Sequence, residues 1–428
     1  MMGDLLIKNG HLIDPDCGVD GTMDILVEKG VIVQTGKKLT AQSKKVIDAK
    51  GMWVTPGLVD MHVHLREPGY EYKESIKSGG EAAAAGGFTS IVCMANTDPV
   101  NDCASVTEFI LEAGRKSCPV NVFPVGAVSQ GLMGQNLANI GEMAEAGVVA
   151  VSDDGKCVMN TALLRDAMTY ADMFGLIVLE HAEDHALTTG THMNEGPVSS
   201  ELGLIGAPRV GEDVMVARDI AIAEYIGCAI HFCHVSTSGA VEMIRAAKKR
   251  KVRVTAEATP HHFTLTEEAC RGYKTNAKMA PPLRTQKDVE AVRMGLADGT
   301  LDAIATDHAP HARVEKEVEF EKAPFGVVGL ETAVGLTLEL VRAGVLTRTK
   351  MVEVMSRNPA RILGLERGSL APGAVADITI IDPEAEWTVD SSRFRSKSTN
   401  TPFDGWTMKG RVSYTIVKGK VVYKNVVS

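Results

Sequence analysis

Two histidines separated by one residue, His62 and His64, follow the apolar run from Val54 to Val59. Alternate side chains of an extended strand point to the same face, so both imidazoles are predicted to lie on one side of a strand. Two imidazoles on one rigid strand supply half of the ligands that a metal site needs. The spacing therefore predicts a metal-binding strand end.

Further side chains that can bind a metal stand at the ends of later apolar runs. They are Asp153, Asp154, His181, His234 and Asp307. Either member of the Asp153-Asp154 pair could be the ligand, and an Asp pair before a glycine is also a common turn. His231 is predicted to pack in the core or to bind a ligand residue. The His261-His262 pair could line the barrel mouth, but it has no partner at ligand spacing, so a structural role or a hydrogen bond to a ligand residue is favoured.

Four histidines and two aspartates suit two divalent ions of zinc type, with one carboxylate bridging them. Two ions that share one water molecule lower its pKa from 15.7 towards neutrality. Asp307 is the expected general base, which takes the proton of that water and passes it to a leaving nitrogen. The set predicts a hydrolase that acts on amide or imide C–N bonds.

The elements that would position these residues alternate between apolar strands and amphipathic helices. Strands are predicted at 57–62, 88–93, 121–126, 148–152, 176–181, 229–234, 252–256 and 303–307. Helices are predicted between them, at 104–116, 137–146, 161–174, 213–227, 238–250 and 285–298. Eight strands with helical connections favour an α/β fold, a (β/α)₈ TIM barrel, whose catalytic groups collect at the carboxyl ends of the strands.

Short β segments precede and follow the predicted barrel. We expect residues 1–55 and 370–428 to form one small β-sandwich domain, built from both chain ends, and residues 56–369 to form the barrel. The 428 residues carry a formal net charge of −9, which argues against a nucleic-acid or anionic-membrane partner. The eight cysteines lack CxxC spacing and no signal segment is evident, so a cytoplasmic location is expected. Cys233 is predicted to point away from the neighbouring His234 on its strand and to pack in the core.

Several motifs of this chain resemble those of the amidohydrolase superfamily, and more closely those of the class I dihydroorotases. The motifs are HVHLREPG at 62–69, MANT at 94–97, DDG at 153–155, KMAPPLR at 278–284, ATDHAPH at 305–311 and KAPFG at 322–326. The resemblance spans essentially the whole chain. It implies a zinc enzyme that interconverts N-carbamoyl-L-aspartate and L-dihydroorotate plus water in pyrimidine synthesis, with a homodimer or aspartate carbamoyltransferase as candidate partners.

The resemblance also implies a role for each candidate ligand. One zinc ion would be held by His62, His64, Asp154 and Asp307, and a second by His181 and His234. Asp154, rather than its neighbour, would bridge the two ions.

Substrate contacts follow from the same comparison. The residues implied are His64, Arg66, Asn96, Asp307, His311, Phe325 and Gly326. An arginine fork is a natural receptor for the substrate carboxylate, and Arg66 is predicted to share the strand face of His64. Residues 311–322 are charged and are predicted to form a mobile lid.

Two departures from the family pattern and two alternative functions remain open. Ala280 stands where many relatives have Asn, with Asn276 as a nearby replacement, and Ala95 stands where many have Pro. A hydantoinase or allantoinase would use a carboxylated lysine after the fourth strand, where this chain offers only Lys156. An inactive scaffold for aspartate carbamoyltransferase would lack metal ligands, whereas this chain keeps all six.

Overall fold

The computed structural model describes residues 2–425. In chain order its strands are β1 (Met2–Asp14), β2 (Val19–Glu28), β3 (Val31–Gly36), β4 (Gln42–Asp48), β5 (Trp53–Pro56), β6 (Leu58–Val63), β7 (Phe88–Cys93), β8 (Asn121–Gly126), β9 (Ala150–Val151), β10 (Ile177–Glu180), β11 (Met193–Asn194), β12 (Gly206–Ala207), β13 (Ile230–Phe232), β14 (Val254–Ala258), β15 (Ala303–Ile304), β16 (Ile378–Thr388), β17 (Thr407–Val417) and β18 (Lys420–Lys424).

The helices lie mainly between the strands of the middle of the chain. They are α1 (Ile76–Gly86), α2 (Ala104–Ser117), α3 (Ile140–Ala146), α4 (Thr161–Asp172), α5 (His185–Thr188), α6 (Pro197–Leu202), α7 (Val210–Ile226), α8 (Ser238–Lys249), α9 (Pro260–Thr264), α10 (Gln286–Asp298), α11 (Arg313–Lys316), α12 (Ala333–Arg342), α13 (Arg348–Val352) and α14 (Asn358–Ile362).

Eight parallel strands form a nearly closed barrel in the order β15-β14-β13-β10-β9-β8-β7-β6. Strands β6 and β7 are buried along their whole length, because the barrel interior covers one face and the helices cover the other. Their sequences are consequently continuous apolar runs with few polar interruptions. The predicted TIM barrel is confirmed.

A buried carboxylate joins the first and last strands of this barrel. Asp60 of β6 accepts hydrogen bonds from the backbone nitrogen of Thr306, at 3.1 Å, and from its hydroxyl, at 2.5 Å. The backbone of Val63 forms a parallel bridge with His308, and the His64 nitrogen donates to the His308 carbonyl at 2.9 Å. The strands that carry His62 and Asp307 are therefore held in register.

Strands from both chain ends form a second sheet, as expected. Its order is β18-β17-β16-β5-β1-β2-β3, with β4 pairing with β1, so the strands are hydrogen-bonded as one continuous eight-stranded sheet. This sheet encloses its own apolar cluster, which includes Leu5, Ile25, Ile378 and Ile416. The domain boundaries at 55/56 and 369/370 stay predictions.

The terminal sheet packs against the barrel at the end of α1. The Thr379 hydroxyl donates to the Gly87 carbonyl at 2.6 Å, and the Thr415 hydroxyl donates to the Ala84 carbonyl at 2.6 Å. Gly87 ends α1 in the left-handed conformation, with φ of 89°. Two buried hydroxyls thus bind carbonyls at the helix end; the Ala84 carbonyl also accepts from the Gly87 nitrogen at 3.2 Å.

Two further observations concern the described residues as a whole. Among residues 2–425, every helix is too short or too polar to cross a bilayer. All eight cysteines are free thiols, in agreement with the absence of a disulfide pattern in the sequence.

Gly87→Ala tests the contact between the barrel and the terminal sheet. An added Cβ would lie 2.8 Å from the Thr379 methyl and 2.9 Å from a Val412 methyl. Gly227 ends α7 with a similar φ of 73° but has no atom within 4 Å of an added Cβ, so Gly227→Ala is the matched control. Both variants incur a left-handed penalty of about 1 kcal/mol, and overpacking adds about 1–3 kcal/mol only at Gly87. Thermal unfolding should show the larger fall in Tm for Gly87→Ala; equal falls would contradict a tight contact.

Candidate metal centre and active site

Six predicted ligand side chains meet at the carboxyl-terminal end of the barrel, and all are buried. They are His62 in β6, His64 just after β6, Asp154 after β9, His181 after β10, His234 after β13 and Asp307 after β15. Because the carboxyl ends of parallel strands meet at one rim, residues far apart in the sequence come within bonding range of one ion.

Four ligand atoms form a first group. His62 Nε2 lies 3.4 Å from Asp154 Oδ2 and 3.6 Å from Asp307 Oδ1. His64 Nε2 lies 3.4 Å and 3.0 Å from the same two oxygens. Zinc–ligand bonds of about 2.0–2.2 Å in a tetrahedron separate neighbouring ligand atoms by roughly 3.4 Å. The spacing of this group fits one divalent ion.

Three atoms form a second group beside the first. His234 Nε2 lies 3.0 Å from His181 Nδ1 and 3.2 Å from Asp154 Oδ1, and His181 Nδ1 lies 3.5 Å from the same oxygen. Asp154 therefore presents one carboxylate oxygen to each group. That arrangement suits a bridging ligand between two ions, with a position left open for a water molecule or substrate.

Hydrogen bonds on the far side of the imidazoles fix which nitrogen can bind a metal. His62 Nδ1 donates to Glu257 Oε1 at 2.8 Å, and His64 Nδ1 donates to Asn96 Oδ1 at 2.9 Å. Each Nε2 then turns a lone pair towards the carboxylates, and His62 Nε2 is buried with no hydrogen-bond partner among the described residues. A cation satisfies these converging lone pairs, so the donor set fits a metal.

The pKa values of the candidate ligands agree with a metal-binding site. Burial opposes ionisation of Asp154, but the charge of His62 and hydrogen bonds from His181 and His234 hold its pKa well below the ordinary value. Burial also opposes charge on His181, yet hydrogen bonds with Asp154 and Glu183 raise its pKa to about 10. The carboxylates are thus ionised and arranged to face positive charge.

Glu257 on β14 is a site residue that the sequence interpretation missed. Besides His62, it binds His231, whose Nε2 donates to Glu257 Oε2 at 3.2 Å. His231 in turn accepts from the Thr255 hydroxyl at 2.8 Å, so it supports a ligand through Glu257, as one of its two predicted roles required. The sequence signal that could have identified Glu257 is a carboxylate within a mostly apolar strand. A buried carboxylate needs a hydrogen-bonded or charged partner, so its presence there indicates a paired polar site.

The structure separates the two neighbouring aspartates. Asp153 Oδ1 accepts hydrogen bonds from the backbone nitrogens of Val128 and Ser129, both at 2.9 Å, and does not reach the ligand groups. Asp154 lies in both groups. Lys156 turns away as well, since its Nζ donates to the Leu132 carbonyl at 3.1 Å.

Cys233 differs from its sequence prediction. Strand alternation predicts a thiol that points away from the site, but its Sγ belongs to a compact group with His62 and Asp154, whose ligand atoms lie within 4.8 Å of one another. The reason is that β13 ends at Phe232 and His234 has a φ of 33°, which breaks the alternation. Burial raises the pKa of the Cys233 thiol well above its usual value, so the thiol stays neutral.

A cavity of 510 Å³ opens above the ligand groups. Its lining includes the predicted substrate residues His64, Arg66, Asn96, Asp307, His311, Phe325 and Gly326. Ala280 also lines it, whereas Asn276 lines a separate depression and so does not take the place of the missing family Asn.

Arg66 reaches the cavity by a different route from the one predicted. Strand β6 ends at Val63, and Arg66 has a left-handed φ of 63°, so a turn rather than strand alternation directs its side chain. Its Nε donates to the Pro310 carbonyl at 3.3 Å. The neighbouring Glu67 binds the backbone nitrogen of Ile76 instead of Arg66. The half-buried Arg66 side chain therefore lies at the cavity wall rather than against Glu67.

His311 and Phe325 are joined directly. His311 Nε2 donates to the Phe325 carbonyl at 2.7 Å. Burial, together with the charges of Arg66 and Lys316, lowers the pKa of His311 to about 2, so the imidazole is neutral. The intervening residues include the short helix α11; the mobility expected of this segment stays a prediction.

Comparisons with known proteins agree with this geometry. A family model described as dihydro-orotase-like matches residues 51–240, and an amidohydrolase family model matches residues 286–423. A dihydroorotase from Syntrophus aciditrophicus is 56% identical over 98% of this chain and 99% of its own length. One from Geobacter metallireducens is also 56% identical, with the same coverage.

Solved structures show the same architecture. The L-hydantoinase (dihydropyrimidinase) from Arthrobacter aurescens aligns with a TM-score of 0.89 at 26% sequence identity, covering 100% of this chain and 98% of that one. The hydantoinase likeness reflects the shared amidohydrolase barrel, whereas the much higher sequence identity lies with the dihydroorotases. The chain belongs to the dihydroorotase family of amidohydrolases.

Proposed function

We propose that this protein is a zinc-dependent dihydroorotase, which interconverts N-carbamoyl-L-aspartate and L-dihydroorotate plus water. The observation that carries the proposal is the convergence of two ligand groups, sharing Asp154, with the half-buried Arg66 side chain in one cavity. A carboxylate receptor beside a hydrolytic metal centre suits a cyclic amide that bears a carboxylate. The full-length relatives named dihydroorotase support the same substrate.

The proposed metal ligands are the six side chains described above, with Asp154 as the bridge. His62, His64 and Asp307 complete one site, and His181 and His234 complete the other. Two zinc ions bound there would lower the pKa of a water molecule and polarise the substrate carbonyl. Glu257 and Asn96 hold the imidazoles in the orientation that this binding requires.

Asp307 is the proposed general base. Burial opposes ionisation of Asp307, but its contact with His64 Nε2 and positive charge at His62 outweigh that effect and hold its pKa below the usual value, so the carboxylate is ionised. It lines the cavity, where it can accept the proton of the attacking water and deliver it to the leaving nitrogen. In the cyclisation direction the same carboxylate takes the proton from the carbamoyl nitrogen.

The proposed substrate contacts surround the carboxylate and the ring. Arg66 offers a planar fork for the carboxylate, and Asn96, whose carbonyl oxygen is occupied by His64, keeps its amide hydrogens for the ligand. The backbone at Phe325-Gly326 lies at the cavity wall, where it can bind the ring amide. An Ala280 side chain adds no hydrogen bond there.

The alternative functions have less support. A lysine-bridged hydantoinase centre needs a lysine among the ligands, but Lys156 binds a backbone carbonyl elsewhere. An inactive scaffold has no reason to retain six buried ligands and an ionised base. The cytoplasmic location, a homodimer and an association with aspartate carbamoyltransferase stay predictions.

The direct test is a cyclisation assay on gently purified protein. Zinc-loaded protein should form dihydroorotate from N-carbamoyl-L-aspartate, and chelation should abolish the activity until zinc is restored. Asp307→Asn should lower kcat by about a thousandfold, because the base is lost, while the surface change Asp166→Asn should leave kcat unchanged. Metal-loaded protein that forms no ring would contradict the proposed function.

A second prediction separates the two adjacent aspartates. Asp154→Asn should weaken zinc binding by more than the roughly 10–100-fold typical of losing a hydrogen-bond partner of a ligand. Asp153→Asn should retain the zinc, because its carboxylate binds loop backbone. Zinc content after dialysis against a weak chelator measures both. Equal losses in the two variants would show that Asp154 has no special role.

A third prediction concerns the substrate carboxylate. Arg66→Met should raise KM roughly a hundredfold, because a charge-assisted pair of hydrogen bonds of about 3 kcal/mol is lost. Zinc content should not change, since Arg66 contributes no ligand atom. Arg115→Met, at an arginine whose side chain is 74% exposed, is the control. An unaltered KM in Arg66→Met would remove Arg66 from the binding site.

A further inference from the structure

Two lysines near the cavity are almost fully buried, which is rare for this residue type. Lys278 is 2% exposed and Lys316 is 5% exposed. Neither forms an ion pair with a carboxylate within residues 2–425, whereas the buried Arg284 faces Glu212 at 3.6 Å. Burying an ammonium group is costly unless other groups solvate it.

Backbone carbonyls of one segment provide that solvation. We call residues 311–326 the His311 loop. Lys278 Nζ donates to the carbonyls of Phe320 at 2.7 Å and Glu321 at 2.9 Å, both in this loop. Lys316 Nζ donates to the Pro324 carbonyl at 2.7 Å.

The same lysines also connect the loop to residues 275–278 outside it. Lys316 Nζ donates to the carbonyls of Thr275 at 3.1 Å and Lys278 at 3.2 Å. The Thr275 hydroxyl donates to the Lys316 carbonyl at 2.6 Å, and the Gly326 nitrogen donates to the Lys278 carbonyl at 3.0 Å. The ammonium groups of Lys278 and Lys316 thus bind backbone carbonyls both within the His311 loop and in residues 275–278.

A further contact leads from Lys278 to the cavity. Its Nζ lies 4.6 Å from the centre of the Phe325 ring, within the range of a cation–π interaction. The Phe325 carbonyl accepts the hydrogen bond from His311. The lysine contacts and the candidate substrate residues are therefore adjacent in space.

Apart from the two lysines, a few polar contacts hold the His311 loop. The Asn400 side chain accepts from the His311 nitrogen at 3.2 Å and donates to the Gly326 carbonyl at 3.1 Å, and Glu315 pairs with Lys73 at 2.9 Å. The one helix of the loop has four residues, and most of the loop side chains are exposed, including Val314 at 74%. Phe320 and Ala323 are the apolar side chains that it buries. A segment with so small an apolar contact depends on its polar contacts to keep one conformation.

We propose that Lys278 and Lys316 are positioning residues, which hold the His311 loop closed so that His311 and Phe325-Gly326 face the substrate. This inference rests on the proposed function for the substrate contacts. Loss of either ammonium group lowers the closed fraction of the loop, and the apparent affinity for substrate falls by the same fraction. The zinc ligands and Asp307 are unaffected, because neither lysine contacts them.

Hydrogen exchange of the zinc-loaded protein tests the loop without any substrate. Lys278→Met and Lys316→Met should speed exchange of peptides covering 312–324 by about tenfold, while peptides of α12 keep their rate. Lys322→Met is the matched control, because this loop lysine is 72% exposed and pairs only with Glu319 at the surface. Loop exchange unchanged in both buried-lysine variants overturns the proposal.

Kinetics on the same samples separate positioning from a merely structural role. Each buried-lysine variant should raise KM for N-carbamoyl-L-aspartate about tenfold, with kcat within about threefold of the parent and unaltered zinc content. Faster loop exchange with an unchanged KM overturns the proposal, and so does loss of zinc or a parallel collapse of kcat.

A milder variant covers the case in which the methionine variants do not fold. Thr275→Val deletes only the hydroxyl that binds the Lys316 carbonyl, and should raise loop exchange and KM together by about threefold; no change in either contradicts the proposal. An inactive parent enzyme would refute the proposed function, whereas the exchange rates would still show whether the two lysines hold the His311 loop closed.

Discussion

The arrangement depends on one carboxylate that two groups of imidazoles share. Asp154 places one oxygen near His62 and His64 and the other near His181 and His234. Lone pairs that converge in a buried site repel one another unless positive charge lies between them. Protons can supply that charge in part, but a divalent ion in each group would satisfy the lone pairs of both groups. The barrel rim therefore favours a bound metal on electrostatic grounds, and a metal bound there would add to the stability of the rim.

Hydrogen-bond acceptors behind the imidazoles make this convergence possible. Glu257 and Asn96 accept the protons of the first two imidazoles, and Glu183 accepts from His181 at 3.0 Å. Each partner comes from a different part of the barrel, so the orientation of the ligands depends on the whole fold. The Asp60–Thr306 contact has the same effect on the backbone, because it fixes the strand of His62 beside the strand of Asp307.

The sequence predicts the parts of this site that follow strand periodicity. Strand ends with His or Asp identify the ligands, and the alternating apolar strands and helices identify the barrel. Arg66 and Cys233 lie beyond the ends of strands. Backbone turns set the direction of their side chains there, and the periodicity of the sequence does not predict that direction. Glu257 was missed because its partners are known only in three dimensions. Helix α1, rich in Ala and Gly, lacks a polar face, since the barrel and the terminal sheet cover most of it.

The order of the ligands along the chain has a consequence for synthesis on the ribosome. Asp154, His181 and His234 all precede α8, so this trio has been synthesised before β14, β15 and Asp307. The other group needs Asp307, which follows β15, and closing so long a segment of chain is slow. A nascent polypeptide thus contains one complete group of candidate ligands before the last barrel strands are made, and Asp307 completes the other group.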